Sequence, residues 1–260
     1  KQMAGAFAGI QGIKALVGLS DAMTQTTARI DMMNDGLQST KELQTMIYES
    51  AQRSRGAYQD TADMVAKLGT LAGDAFSSSG EVVAFAEQIN KQMKLSGTTT
   101  AGAQAAMLQL TQAMSSGVLR GEELNSILEQ TPTIAQSIAD YMGVNIGQMR
   151  ELASEGQITA DVVKNAMFAA ADETNEKFES MPMTWSEIWT SIQNTILVAI
   201  EPILEGISWL ANHFEQLKPI LVGLAGAALG VAAALGRQRR SLLRCLEIQS
   251  RTLLWQSGRL

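Results

Sequence analysis

Two of the side chains most used for chemistry are almost missing from this chain. Among 260 residues there is one histidine, His213, and one cysteine, Cys245. A single cysteine excludes an internal disulfide framework and fits synthesis in a reducing cytoplasm. A single histidine must serve any Ser-His-Asp triad or zinc site, and no ligand-spaced partner surrounds His213 in the sequence. It reads as a residue on a helix flank beside Phe214. Cys245 lies among leucines and arginines, where nearby cations lower a thiol pKa, but no histidine or asparagine accompanies it. No glycine-rich phosphate loop of Walker or Rossmann spacing occurs. The adjacent pair Glu122 and Glu123 cannot flank one glycosidic bond, because neighbours on a helix diverge by about 100°. Two carboxylates at a helix start explain them better. These absences imply a protein that is not an enzyme, with no metal and no cofactor.

Aromatics are only 5% of the residues, while apolar residues reach 46% and Ala, Met, Leu and Gln are plentiful. Strand-favouring side chains are scarce, so the composition points to an all-α protein. The 14 methionines fall at helical spacing and read as core filler rather than a metal ladder. The charge is split. Residues 1–236 carry 14 Lys and Arg against 25 Asp and Glu, whereas residues 237–260 carry six Arg against Glu247. The acidic body makes specific nucleic-acid binding an unsuitable role for it. The chain starts at Lys1 with no cleavable signal pattern, which reads as a fragment of a longer product.

Helix punctuation divides the chain. Residues 1–36 read as an N-terminal small-residue helical segment, with Gly5, Gly9 and Gly12 interleaved among apolar positions. Residues 37–182 read as a bundle of short antiparallel helices. Ser39 with Glu42, Ser78 with Glu81 and Asn145 with Gln148 have capping-box spacing. Gly117, Gly143 and Gly156 are helix stops. Gly121-Glu122-Glu123 opens a helix, Thr131-Pro132 reads as an N-cap followed by proline at the first helical position, and Thr159 with Asp161 opens another. The stretch Gly117–Leu128 echoes Gly156–Met167 at an offset of 39. Each copy runs from glycine through an anchoring Leu or Ile to an acidic helix start. Convergent helix-start chemistry and a pseudo-repeat of packed hairpins both account for it.

Residues 183–236 read as long apolar helices. Thr184 and Glu187 make a further capping box, and Trp185, Ile188, Trp189, Ile192, Ile196 and Ile200 form an apolar stripe. Trp185, Trp189 and Trp209 are most simply packing residues, with an interfacial role near a membrane as the alternative. Pro202 is expected to kink or break the helix. Pro219 to Gly236 contains no charge, and its 18 residues would span about 27 Å as a helix, close to a ~30 Å hydrocarbon core. Gly226 and Gly230 form a GxxxG pair. The segment suits either membrane insertion or burial against other helices. Residues 237–260 form a basic tail, read as an aberrant or truncated end or as a basic amphipathic helix for an anionic surface.

The pieces also resemble a known family. The string Gln112 to Glu129, including Gly117, Leu119, Arg120, Gly121, Glu122 and Glu123, resembles the N-terminal conserved domain of tail tape measure proteins of long-tailed bacteriophages and prophages. So do Thr131-Pro132 and Arg150 to Gly156. The likeness continues upstream in Ser20-Asp21, Ala28-Arg29, Ser54-Arg55 and Gln109 to Gln112. Downstream it includes Met181 to Trp185 and Ile192-Gln193-Asn194, so that it spans residues 7 to 215. The resemblance implies a structural protein of the virion tail lumen, made in the bacterial host cytoplasm. Its implied roles are tail tube assembly, tail length determination and DNA ejection. The implied partners are tail tube, tail initiator and tail assembly chaperone proteins, further copies of itself, and the host membrane. A membrane-inserting helical protein using 184–236 is the alternative reading, and a tail-associated wall hydrolase fragment a weaker one.

Overall fold

The computed structural model describes residues 2–218, with side chains from residue 14 onward. It is a bundle of short antiparallel helices followed by a long apolar one, and the described residues contain no strand. In order, the helices are α1 (Gln2–Met33), α2 (Thr40–Arg53), α3 (Tyr58–Ala72), α4 (Ser79–Leu95) and α5 (Thr100–Ser116). There follow α6 (Gly121–Gln130), α7 (Pro132–Met142), α8 (Ile146–Ser154), α9 (Ala160–Ala169), α10 (Ala171–Ser180) and α11 (Trp185–Asn212). A single 3₁₀ turn, Gly73–Ala75, lies between α3 and α4. The chain divides into two compact units, 1–205 and 206–260.

The helix starts follow local chemistry. Ser39 and Asn145 are N-caps whose side chains accept from the N3 amides of Glu42 and Gln148, and those two side chains reach back to the cap amides. Ser78 also caps, but Glu81 bonds the amide of Ser77 instead, so the box is displaced by one residue. Thr131 departs from expectation. Its buried hydroxyl donates to the Ile127 carbonyl at 3.1 Å and leaves α7 without a side-chain cap. Thr131 is shared between the end of α6 and the start of α7, so its side chain satisfies the earlier helix. Pro132 occupies the first turn of α7 as expected.

The core of the first unit runs through α3, α4 and α5. Leu43, Ile47, Val65, Leu68, Phe85, Ile89, Leu110 and Ile138 are all fully enclosed. Phe85 meets Phe76 and Phe168 edge-on at centroid distances of 5.2 and 6.4 Å, the favoured geometry for ring quadrupoles. α4 is covered on most sides, by α2, α3, α7, α9 and α10. Its polar residues Glu87, Gln88, Lys91 and Gln92 are therefore buried as well. They are paired: Lys91 Nζ lies 2.7 Å from Glu87 Oε1, and Arg53 Nη2 and Nε lie 2.8 and 3.0 Å from Glu87 Oε2. Lys91 also donates to Asn175 Oδ1 at 2.7 Å, tying α4 to α10. In the second unit, Trp209 and His213 stack at 4.5 Å on one helix face.

Candidate docking surface

The glycine-rich motif folds into a paired turn. Gly117 (φ +81°) and Gly156 (φ +70°) both adopt the left-handed conformation that a side chain disfavours. The chain leaving each glycine then pairs in one antiparallel bridge between Val118 and Thr159. Leu119 donates to the Ile158 carbonyl and Ala160 to the Gly117 carbonyl, each at 2.8 Å. The register sets Leu119 opposite Ile158, the two residues that correspond in the echo, and both are fully buried. The echo thus has a structural counterpart in the turns. It does not extend to whole hairpins, because α5 packs along α6 whereas α8 packs on α6 and α7. Arg120 precedes α6 as its N-cap without a side-chain bond, and Gly121, Glu122 and Glu123 form the first turn. Glu122 is exposed and Glu123 half-buried. A Cβ at Gly117 would meet open space, so Gly117→Ala tests backbone strain alone. The expected loss is about 1 kcal/mol of unfolding free energy, measured by urea denaturation.

A second group of motif pieces converges at the corner between α2 and α3. Arg55 there has φ 54°, the one described non-glycine residue with positive φ. Its guanidinium donates to the Met181 and Phe178 carbonyls at 2.9 and 3.3 Å and lies 4.5 Å over the Phe178 ring. A cation thereby closes the C-terminal end of α10, where the helix dipole is negative. The Arg55 carbonyl accepts from Lys94 Nζ at 3.0 Å, and Lys94 also meets Glu187 Oε1 at 2.9 Å. Glu187 completes the expected box: it accepts from the Thr184 amide at 2.8 Å, and Thr184 Oγ1 accepts from the Glu187 amide at 3.2 Å. One helical stretch further, Asn194 Oδ1 accepts from the Tyr58 amide at 2.9 Å while its Nδ2 donates to the Gly56 carbonyl at 2.9 Å.

These bonds reveal how α11 lies on the bundle. Glu187, Asn194 and Glu201 recur every seven residues, on one stripe of the helix. Glu201 meets Lys41 at 3.0 Å, and the Leu204 carbonyl accepts from the buried Ser20 hydroxyl at 2.8 Å. Leu197 and Leu204 add buried apolar side chains on that face, with the half-buried Ile200 packed beside them. The opposite stripe, Trp185, Trp189, Ile192, Ile196 and Ile203, is exposed. The tryptophans at 185, 189 and 209 are not core residues of the described chain, contrary to the packing reading. α11 also runs through Pro202 without ending. Pro202 and the exposed Val198, four residues earlier, sit on the outer side, where solvent can satisfy the carbonyl left without its amide partner.

Burial opposes ionisation of Glu187, yet the Thr184 amide and the Lys94 ammonium overcome it and hold the carboxyl below its ordinary value. A depressed carboxyl stabilises the fold above the ordinary carboxylate range and loses that contribution as pH falls through the folded pKa. Protease cleavage within α11 is therefore expected to accelerate below about pH 4, and Glu187→Gln is expected to remove that pH step.

Trp185 is far from buried and does not join the Gly117–Gly156 turn; the motif residues form two groups rather than one site. Pro219, Gly226, Gly230 and Gly236 lie outside the described residues. Within them α11 itself is long and apolar enough to cross a membrane, by length and composition. Among the described residues no cluster of His, Cys, Asp or Glu could hold a metal ion. The Asn194 and Lys94 bonds escaped the sequence reading, although the seven-residue recurrence of polar residues through an apolar helix was a signal for them.

Residues 14–204, more than half of the chain, match the family described as tape measure protein. The chain belongs to the tape measure protein family. Such proteins are structural components of phage tails. No curated protein and no solved structure matches the chain. The family match ends at Leu204, which is also the last buried residue of α11. The matched stretch thus covers the Trp185–Leu204 part of α11, the part that carries the bonds to the bundle.

Proposed function

We propose that this tape measure chain takes part in tail tube assembly, sets tail length and serves DNA ejection, with residues 37–182 as its assembly module. The observation that supports this most is α11. It is locked to the bundle at 187, 194, 201 and 204, and it presents an unbroken apolar stripe outward. A catalytic protein needs a concave reactive centre; a scaffold needs a stiff helix with a free face. On this reading the protein is made in the host cytoplasm and ends in the tail lumen. Tail tube, tail initiator and tail assembly chaperone proteins are its partners, engaged through helix faces.

Helical rulers lengthen by about 1.5 Å per residue. An in-frame insertion of about 100 helical residues after the bundle should lengthen tails by roughly 150 Å, measured by electron microscopy of the assembled phage. Tails of unchanged length would remove the ruler role. A second reading, insertion into the host membrane, draws support from the length and apolarity of α11. Flotation of the purified chain with liposomes distinguishes it, since a pure assembly role leaves the chain at the bottom of the gradient.

A further inference from the structure

α2 and α11 do not close on each other along their whole length. Between them lies a cleft of about 230 Å³, open on the side of the exposed Glu49 and Val198. Its floor is Met23 of α1 and Tyr58 of α3, and its walls are Tyr48 of α2 and Leu197 of α11. Pockets for cofactors and drug-sized ligands are larger, about 300–1,000 Å³, whereas a cavity of about 150 Å³ already admits benzene. The cleft is therefore sized for one side chain.

The charges around it indicate which one. Lys41 and Glu201 span one end at 3.0 Å, and Glu205 stands 3.9 Å from the same ammonium. Glu49 also lines the cleft. Its helix neighbour Arg53 reaches it only at 3.6 Å, being turned to Glu87 through two nitrogens at 2.8 and 3.0 Å. Three carboxylates thus border the cleft against the one ammonium of Lys41. Two groups already in place register the negative field. The hydrogen bond to Glu201 holds the Lys41 ammonium above its ordinary value against a small desolvation cost, and the charges of Glu201 and Glu205 add to it. Burial pushes the Tyr58 hydroxyl up to about 12, and the charge of Glu201 contributes.

Excess negative charge, two tyrosines and an apolar floor together suit a guanidinium better than an ammonium. Arginine has an apolar stem to lay along Met23 and Leu197. Its planar head stacks on aromatic rings, pairs with a carboxylate through two donors, and is more weakly hydrated than lysine, so it enters a partly apolar cleft at lower cost. The acidic body favours approach of a basic segment over any other.

We infer that the cleft between α2 and α11 is a socket for an arginine side chain of a partner protein, with the guanidinium at Glu49 and the stem across Met23 and Leu197. The socket goes beyond the ruler reading and does not depend on it, because tail length and side-chain binding are read separately.

The test is an NMR titration of the full 260-residue chain carrying ¹³C-labelled methionine methyls, with the Met23 signal assigned by Met23→Leu. The probe is N-acetyl-arginine amide, beside its citrulline analogue, which has the same shape without the charge, and guanidinium chloride. Glu49→Gln is the socket variant and Glu155→Gln the control; both carboxylates are exposed, so circular dichroism and melting temperature should match the unsubstituted protein. The expected result is a saturable shift of the Met23 methyl with a Kd on the order of 1 mM for the arginine probe. Glu49→Gln should weaken it by about threefold, the scale of an exposed ion pair, with the control unchanged. No shift at about 10 mM probe, roughly ten times the expected Kd, would overturn the inference. Equal binding of the citrulline analogue would make the cleft a neutral slot and overturn it. Equal binding of guanidinium alone would make the occupant a free cation, and a shift that Glu49→Gln leaves intact would place the cation elsewhere; either result equally overturns it.

Discussion

Replacing Glu87 by glutamine is expected to destabilise the bundle by about 3–5 kcal/mol, the range for removing one partner of a buried ion pair. For a unit of this size that corresponds to a melting temperature lower by about 10 °C. Glu87 and Lys91 are both buried on α4, with 9% and 8% of their side-chain surface exposed. Without the carboxylate, the Lys91 ammonium loses its counter-charge and keeps only neutral partners, the substituted amide, Asn175 and a cation–π contact with Phe178 at 5.9 Å. Arg53 is half-exposed and can turn to solvent or to Glu49, so the loss falls mainly on Lys91. The double variant Glu87→Leu/Lys91→Met removes both charges and should recover most of the loss, because an apolar pair carries no desolvation penalty. Burial works against the Glu87 carboxylate, but Arg53 and Lys91 outweigh it and hold its pKa below the ordinary value. Its contribution is therefore present above the ordinary carboxylate range and fades as pH falls through the folded pKa. Glu87→Gln should flatten the acid limb of the stability profile, read from denaturant melts at stepped pH.

Replacing Asn194 by alanine is the second large effect, and it acts on α11 rather than on the bundle. Asn194 is buried and bonds the Tyr58 amide, the Gly56 carbonyl and, at 3.3 Å, Gln52 Oε1. Its loss leaves a buried donor and a buried acceptor unpaired, at about 1–3 kcal/mol for such groups. The expected penalty is about 2–3 kcal/mol. Because few apolar side chains hold α11, that is enough to loosen it while α3, α4 and α5 stay folded. Thermal melts should broaden or split rather than shift as one transition.

The parts of this fold legible in the sequence are those set by neighbours three or four residues apart. Ser39 with Glu42, Asn145 with Gln148 and Thr184 with Glu187 cap as their spacing requires, because the chemistry is complete within one turn. Gly117, Gly143 and Gly156 stop helices because a left-handed residue is needed there whatever surrounds it. The family resemblance was equally visible, being a property of order and spacing. Long-range decisions were not legible. On α4, Glu87, Gln88, Lys91 and Gln92 resemble a solvated face, and only the packing of α7 and α10 over them makes them interior. The break at Ala170 between α9 and α10 has neither glycine nor proline to announce it. On α11 the apolar stripe was the natural choice for the inner face. The opposite stripe won because Lys94, Gly56, Tyr58, Lys41 and Ser20, remote in sequence, supply partners for its polar groups.

α11 is held by its polar stripe while its apolar stripe faces outward. Hydrogen exchange of the unsubstituted chain and of Asn194→Ala, followed by mass spectrometry, tests it most directly. That arrangement predicts that peptides from 188 to 204 lose protection in the variant, while peptides from α3, α4 and α5 keep theirs. Undiminished protection across 188–204 would contradict it, since the helix would then be held by its apolar face.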